Sequence, residues 1–527
     1  MARATNLTAN LLDLQKSTYL AAEGVLSSDK DRQVYELRLE RGGRYVISAA
    51  NLDLGENIRL ILQDLDGRVL DQVDGVNGSD DPVLNFRASR TGPFRLIVKA
   101  EDDPGNNGEI PFALSVSNQE LSDDFDQGSV DIDLPGLDFL GFEQTLNRLF
   151  DRLADDGISL SDLDRLLAST TADGSRVSQD ELETLGFIAR NLDRFVDDPT
   201  LADYYSYVFS AAVGANPANR YWTGGVQDRA ARIDLGNLEV GSSRKQVEYL
   251  RRKWFRGEDL PLARIDGDSA NKKKPIQFSY SVASGPVFDG DINFDQVVQG
   301  DAGTCYFMAG LMSVARSRPE LIKAMFIDNQ DGTYGVRFFG LDGGDAWVTV
   351  NRDLPIKNDS LLMAGSYRDS HKILSPETNE LWAALAEKAL AQVNETGVLR
   401  RAISENSYQA IEGGNGESLD YITGRRSVIA DPRLVEEIGF DDVRDAVIAG
   451  RSVWLGSSVK WSSSSERVQL TDEHAFSVIG YEGQADSFLI ANPWGSEPAG
   501  AYDPVFGIPS DELYRLYTNE LVDFAAV

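Results

Sequence analysis

The period of the hydrophobic pattern changes along this chain, and that change limits its fold more than any other feature. Between residues 30 and 118 apolar and polar residues alternate, as in Val34-Tyr35-Glu36-Leu37-Arg38-Leu39 and Asn57-Ile58-Arg59-Leu60-Ile61-Leu62. Alternation sends successive side chains to opposite faces of a strand, so such runs suit half-buried sheets. Phe94-Arg95-Leu96-Ile97-Val98 and Phe112-Ala113-Leu114-Ser115-Val116 continue the pattern, with turn signals at Asp66-Gly67 and Asn77-Gly78. Six or more short strands at this spacing predict an antiparallel β-sandwich over residues 1–120. Residues 119–137 then have an acidic, Gly- and Pro-bearing linker composition. Beyond them the period lengthens to that of a helix: Phe142, Leu146, Leu149, Phe150 and Leu153 share one face. Ser178 and Glu181 have the spacing of a capping box, ahead of an apolar face of Leu182, Leu185, Ile188, Leu192 and Phe195. Thr171-Ala172-Asp173-Gly174-Ser175 lacks the register of a calcium loop and reads as a turn between helices. Asn219 to Leu260 reads as further helix and connector, and Lys272-Lys273-Lys274-Pro275 as a polar break. Residues 121–280 are therefore expected to form an acidic linker and helical segment, and the whole chain a multidomain α+β protein.

The net charge of −33 opposes phosphate backbones and argues against nucleic acid as a partner. It also supplies acidic loops, a weak pointer to calcium. No run reaches the roughly 18–20 apolar residues of a membrane span, and Met1 to Leu20 lacks the charged-then-apolar layout of a classical signal peptide. A soluble protein is expected, with the compartment open between the cytoplasm and a non-classical export route. A single cysteine excludes an internal disulfide, and on its own a lone Cys is ordinarily a small buried hydrophobe. Only two histidines are present, His371 and His474, so any imidazole chemistry has two candidates.

The neighbours of the cysteine change its reading. Gln299-Gly300-Asp301-Ala302-Gly303-Thr304-Cys305-Tyr306-Phe307 runs into the apolar stretch Met308 to Ala315. Cys305 is thus expected at a helix N-terminus, where free N–H groups and the macrodipole favour a thiolate. Gln299, six positions earlier, brings a side-chain amide that can complete an oxyanion hole with the Cys305 backbone N–H. Further on, Asp472 to Tyr481 and Ser487 to Gly495 flank a turn and read as a hairpin. Pairing symmetric about Gly483 sets His474 directly opposite Asn492, where cross-strand Cβ atoms lie about 4.5–5.5 Å apart. Taken singly, an isolated His before a strand is more often structural, and Asn-Pro is an ordinary turn signal.

Together these residues resemble the calpain family of papain-like cysteine proteases over 285–527. That family has Gln-Gly six residues ahead of its Cys, a His strand of Gly-His-Ala-Tyr-Ser-Val type, and Asn-Pro-Trp-Gly. Here the matches are Gln299-Gly300, His474-Ala475-Phe476-Ser477-Val478 and Asn492-Pro493-Trp494-Gly495. Asn379-Glu380-Leu381-Trp382-Ala383-Ala384-Leu385-Ala386-Glu387-Lys388-Ala389 is similar to a further family helix. The resemblance implies a two-lobed papain-like core, with a mainly helical lobe over 281–430 and a β-rich lobe over 431–527. It implies Cys305 as nucleophile, His474 as base, Asn492 as the residue that orients it, Gln299 in the oxyanion hole and Trp494 as a shield. Residues 30–118 are similar to the pre-peptidase β-sandwich domains found beside bacterial proteases.

The departures from the family are specific. Thr304 and Tyr306 stand where it usually has Asp and Trp, and Glu473 where it has Gly. The resemblance implies calcium, yet Gln296 and Gln409 replace two of the family's charged ligands, leaving Asp295 and Glu497 as candidate metal residues. By analogy the enzyme is expected as a precursor, cleaved near Arg251-Arg252-Lys253 or Lys272-Lys273-Lys274. Its partners would be protein or peptide substrates, with basic residues favoured because acidic residues outnumber basic ones over 281–527. Two rivals are a catalytically silent pseudoprotease acting through its β-sandwich, which has no need of all four residues, and a transglutaminase-type acyl transferase, which usually orients its His with Asp.

Overall fold

The structure is a computed structural model. It describes residues 10–13, 19–27, 32–39, 44–51, 58–65, 67–74, 82–88, 91–100, 109–118, 146, 158–172, 176–266, 274–340, 343–357, 360–365, 379–434, 437–460, 469–495 and 504–527. The chain divides into two compact units, 1–137 and 138–527.

The first unit is all strand among its described residues: β1 (Asn10–Asp13), β2 (Tyr19–Ser27), β3 (Arg32–Leu39), β4 (Arg44–Asn51), β5 (Ile58–Gln63), β6 (Val69–Asp74), β7 (Val83–Arg87), β8 (Gly92–Ala100) and β9 (Glu109–Asn118). They form two sheets, ordered β1-β3-β8-β5-β6 and β2-β9-β4-β7. The alternation does what its period demands. Along β5, Ile58, Leu60 and Leu62 are buried while Arg59, Ile61 and Gln63 are only half-buried. Leu37, Leu60 and Leu96 of one sheet share a core with Ile47, Leu84 and Leu114 of the other. Tyr35 and Phe112 meet edge to face across it at 6.5 Å. One pairing departs from the antiparallel expectation: β1 runs parallel to β3. Between them β2 belongs to the other sheet, so the chain crosses over and returns in the same direction. Gly67, in the β5–β6 turn, has φ 83°, as a left-handed turn residue should. Asn77-Gly78 lies outside the described residues.

The second unit opens with helices α1 (Leu160–Ser169), α2 (Gln179–Asn191), α3 (Pro199–Val213) and α4 (Arg244–Trp254). The Ser178–Glu181 capping box forms at the start of α2, with both reciprocal bonds present. Of the expected helix around Phe142–Leu153, only Leu146 is described. The expected boundary near residue 280 is not where compactness ends, because these helices pack into the same unit as the residues beyond it. Tyr204 of α3 hydrogen-bonds Thr349 at 2.9 Å, and its ring lies so close to Gly335 that a Cβ there would sit 2.6 Å from it. Lys253 of α4 is buried between Asp259 at 2.5 Å and Glu395 at 2.6 Å. Arg251 pairs with Asp164 at 2.8 Å. Cleavage at Arg251-Arg252-Lys253 is therefore disfavoured, since a protease needs an exposed, extended segment; Lys272 and Lys273 of the second cluster lie outside the described residues.

A three-stranded sheet comes next, β10 (Phe326–Asp328), β11 (Thr333–Phe339) and β12 (Asp345–Asn351), together with α5 (Cys305–Ser317) and α6 (Trp382–Asn394). The last part is a six-stranded sheet of β13 (Val428–Ala430), β14 (Val453–Ser457), β15 (His474–Glu482), β16 (Ser487–Ala491), β17 (Val505–Pro509) and β18 (Val522–Ala526). Its order is β13-β18-β14-β15-β16-β17, antiparallel throughout. One core joins α5, α6 and β11. Another fills the six-stranded sheet around Phe440, Phe476, Phe488 and Phe524. Because α5 is buried from Tyr306 to Ala315, it can dock on the sheet: Ser313 donates to Val453 O at 3.0 Å, and Trp454 Nε1 donates to Tyr306 O at 3.1 Å. That docking carries the start of α5 to the start of β15. Among the described residues, no helix is long and apolar enough to cross a membrane.

Candidate active site

Cys305 is the first residue of α5 and is half-buried. Burial pushes its thiol up from the usual value, while backbone N–H groups of Ala475, Tyr306 and Cys305 itself hydrogen-bond the sulfur and pull the other way. Ala475 follows His474, so the contact joins two stretches far apart in the chain.

His474 opens β15 and is buried. Its Nε2 lies 2.9 Å from Asn492 Oδ1, and the Trp494 backbone N–H donates to the same oxygen at 3.0 Å. A backbone N–H is only a donor, so the Asn492 atom facing it is the carbonyl oxygen. The imidazole must then donate from Nε2, which leaves Nδ1 as the basic nitrogen. The Trp494 ring stacks on the imidazole at 4.1 Å with a 32° tilt, and Phe476 meets it edge-on at 4.7 Å. Burial pushes His474 down to about 4, against the upward pull of the Asn492 bond. Burial thus favours the neutral thiol and the neutral imidazole, against the thiolate that a helix N-terminus favours.

Gln299 reaches the same place by two routes. Its backbone N–H donates to Pro493 O at 2.7 Å, tying the turn before Cys305 to the one after Asn492. Its Nε2 donates to Ala302 O at 2.7 Å. That bond uses one of the two amide hydrogens and sets the amide's orientation, although Oε1 is buried with no partner among the described residues. Gly300 has to be glycine: a Cβ would lie 2.3 Å from the Leu362 and Met363 carbonyls. Gln299, Cys305, His474 and Trp494 all line one cavity of about 950 Å³, walled on one side by Gly414, Asn415 and Gly416. Asn492 stands behind His474, outside that lining.

The symmetric hairpin differs from the observed register. Glu482 pairs with Ser487, Tyr481 with Phe488 and Gly480 with Leu489; the register then shifts at Ile479, so that Val478 faces Ile490 and Ser477 faces Ala491. The turn is longer than expected, with Asp486 at φ 47°, and His474 faces Ser457 of β14 instead. Asn492 leaves the strand just past the end of this ladder and reaches back diagonally to the imidazole. The contact is made, but by a turn that the strand pattern does not encode.

Of the two candidate calcium residues, Asp295 is described and Glu497 is not. Asp295 is exposed in the short turn Phe294–Gln296. Gln296 Oε1 accepts the Asn293 N–H at 2.8 Å, and its Nε2 donates to Asp291 O at 2.9 Å. Gln409 likewise accepts the Asp266 N–H at 2.6 Å and donates to Glu412 at 2.8 Å. Both amides are thus occupied by protein partners, and among the described residues no group of three His, Cys, Asp or Glu converges here to offer a calcium ion its carboxylates. Glu497 and His371 lie outside the described residues.

Several residues that shape the site carry little sequence signal. Glu412 accepts the Gly303 N–H at 2.9 Å. Gly414 and Gly416 make room: a Cβ would lie 2.5 Å from the Tyr306 ring at the first and 2.2 Å from Ala525 Cβ at the second. Glu387 is fully buried beside Thr304; the sequence shows it as half of a charged pair, Glu387-Lys388, within the stretch similar to a family helix, with no sign of a role at the site.

Residues 268–503 match the family described as calpain family cysteine protease. Human calpain-8 is 29% identical over 223 residues, which is 39% of this chain and 29% of that protein. The human calpain-1 catalytic subunit is 31% identical over 249 residues, 44% of this chain and 31% of that protein. The chain thus spans about a third of the length of these relatives. Among solved structures, the pre-peptidase C-terminal domain of a Bacillus anthracis collagenase aligns at 20% identity with a TM-score of 0.18, covering 22% of this chain and 100% of that one.

Proposed function

We propose that this chain, whose residues 268–503 match the calpain family of cysteine proteases, is a cysteine endopeptidase working through Cys305, His474 and Asn492. One observation carries the reading. Asn492 Oδ1 accepts from both Trp494 N–H and His474 Nε2, so the basic Nδ1 is the nitrogen left for a proton on the cavity that Cys305 also lines. The resting pair is neutral, so the thiol proton passes to Nδ1 as sulfur attacks the peptide carbonyl. The oxyanion is received by the Cys305 N–H and the second Nε2 hydrogen of Gln299. Collapse expels the amine, which takes the proton back from His474 and leaves an acyl-enzyme thioester. Water, deprotonated by the same nitrogen, then releases the acid. Trp494, stacked on the imidazole, limits water at the His474–Asn492 bond. No step passes through calcium.

Substrates in this reading are proteins or peptides with basic side chains. Support comes from the cavity lining, where Glu417, Asp420, Asp431, Glu473 and Asp523 stand against Arg426 and Arg433. The N-terminal pair of sheets is read as an accessory domain of the pre-peptidase kind, on a precursor that matures by self-cleavage.

The test is cleavage of a peptide library by the purified full chain, with calcium or with chelator, beside Cys305→Ala. Wild type is expected to cut next to Lys or Arg in both conditions, and Cys305→Ala to fall by at least about a thousandfold, roughly 4 kcal/mol of barrier. Equal background rates from the two proteins would overturn the reading in favour of a silent scaffold.

A further inference from the structure

The helix α6 takes no part in the triad's chemistry, yet its centre is costly to build. It is buried along its whole length, and Glu387 and Lys388 at its middle are 0% exposed. A buried charge persists only with close partners. The two do not pair with each other. Lys388 Nζ turns to Asn351 Oδ1 at 2.6 Å, Asn351 O at 3.0 Å and Asp353 O at 2.9 Å. Glu387 turns to the active-site side.

There its two oxygens do different things. Oε1 accepts from the Thr304 hydroxyl at 2.5 Å; Oε2 accepts from the Ala364 backbone N–H at 2.7 Å. Thr304 is the cap residue immediately before Cys305, and its hydroxyl makes no capping bond to the helix. A threonine there would ordinarily satisfy a free N–H of the first turn, and here it is turned away to Glu387. Ala364 lies in the segment that holds the Gln299 turn. Val298 and Gly365 exchange two backbone bonds, at 2.9 and 3.0 Å, and the Asp301 N–H donates to Leu362 O at 2.9 Å. Gly300 is pressed against the Leu362 and Met363 carbonyls. One carboxylate therefore links the residue ahead of the nucleophile to the segment that carries the amide.

We propose that Glu387 is a positioning residue that sets the spacing between the two oxyanion donors, the Cys305 backbone N–H and the Gln299 side-chain amide. The proposal rests on the endopeptidase reading and deepens it. An apolar side chain at 387 would suit the helix and its core equally well, but would strand the Thr304 hydroxyl and the Ala364 N–H. Glutamine can keep both bonds, its oxygen accepting from Ala364 and its amide donating to the Thr304 oxygen.

The experiment uses the full chain as wild type, Cys305→Ala, Glu387→Ala, Glu387→Gln and Thr304→Val, measuring kcat and KM on a peptide, the rate of Cys305 alkylation by iodoacetamide, and Tm. Alkylation needs the thiol and the imidazole but no oxyanion hole, so it separates positioning from loss of fold. Glu387→Ala is expected to lose about 100-fold in kcat, the scale of one oxyanion donor. KM and alkylation should stay within about threefold and Glu387→Gln within about tenfold of wild-type kcat. Thr304→Val, which removes only one end of the link, should fall between them and stands in if Glu387→Ala does not fold. Unchanged kcat in Glu387→Ala overturns the proposal, as does a joint fall of kcat, alkylation and Tm in both Glu387→Ala and Thr304→Val. A wild type no faster than Cys305→Ala overturns instead the endopeptidase reading on which it stands.

Discussion

The N-terminal pair of sheets and the unit from 138 onward obey the same burial rule and differ in what else they bury. Among the described residues up to 137, every buried side chain is apolar, apart from the phenol of Tyr35 and Tyr45. The unit from 138 onward buries Lys253, Asp259, Glu387, Lys388, Glu395, His474 and Asn492. An alternating pattern closes two sheets on one core with no polar group to place. Loops that must hold a sulfur, an imidazole and two amides at set distances need directional contacts, and buried polar groups provide them. The difference separates a region specified by pattern from one specified by partners.

The largest expected effect tests the second region. Lys253→Ala leaves Asp259 and Glu395 facing each other without their cation, in a place where burial already pushes Glu395 up to about 8. Breaking such a buried group costs about 3–5 kcal/mol, read as a lowered urea midpoint for the second unit. Leu60→Ala is the counterpart in the first region. It should cost about 2–5 kcal/mol through a core cavity with peptide turnover unchanged. Turnover that falls with Leu60→Ala would break the comparison. Asn492→Ala should cut kcat about 100-fold, some 2.7 kcal/mol, because the imidazole loses the acceptor that defines its tautomer, while Tm barely moves.

The pH profile sharpens the same contrast at lower amplitude. In the proposed mechanism His474 works only as the neutral base, and burial lowers its pKa to about 4, below the ordinary imidazole value. Activity should therefore persist as pH falls past 6 and disappear through about pH 4; an acid limb at the usual value of about 6.5 would contradict so deeply buried an imidazole. The smallest effect concerns Glu473. It sits at φ 51°, in the left-handed region that favours glycine, where the calpain pattern has Gly. Glu473→Gly should relieve up to about 1 kcal/mol of strain, seen as a slightly raised Tm.

Much of the molecule is legible in the residues themselves. The strand at Val34–Leu39, the capping box at Ser178 and Glu181, and a helix beginning at Cys305 are local matters, decided by side-chain period and end chemistry. The partnership of His474 and Asn492 is legible as a pair, while its geometry is not. The shift at Ile479 and the long turn at Asp486 change which residues face each other, and neither leaves a periodic trace. Asp295, Gln296 and Gln409 can be compared with a family pattern, but whether their side chains are available depends on Asp291, Asn293 and Asp266, partners that no motif specifies. Glu387 stands out as a charge in an apolar helix, with its purpose hidden because Thr304 lies 83 residues away.

What the sequence determined by itself was the inventory: one thiol at the head of an apolar helix, an imidazole on one strand and a carboxamide just past the next, and alternating strands ahead of them. These arise from short-range forces, set by neighbours within a turn or a pleat. What only the tertiary structure decided was availability: which nitrogen of His474 is left basic, which hydrogen of Gln299 is left over, and which carboxylate stands behind Thr304. Hydrogen bonds act over about 3 Å, and the chain reaches those distances between remote residues only after its cores have closed.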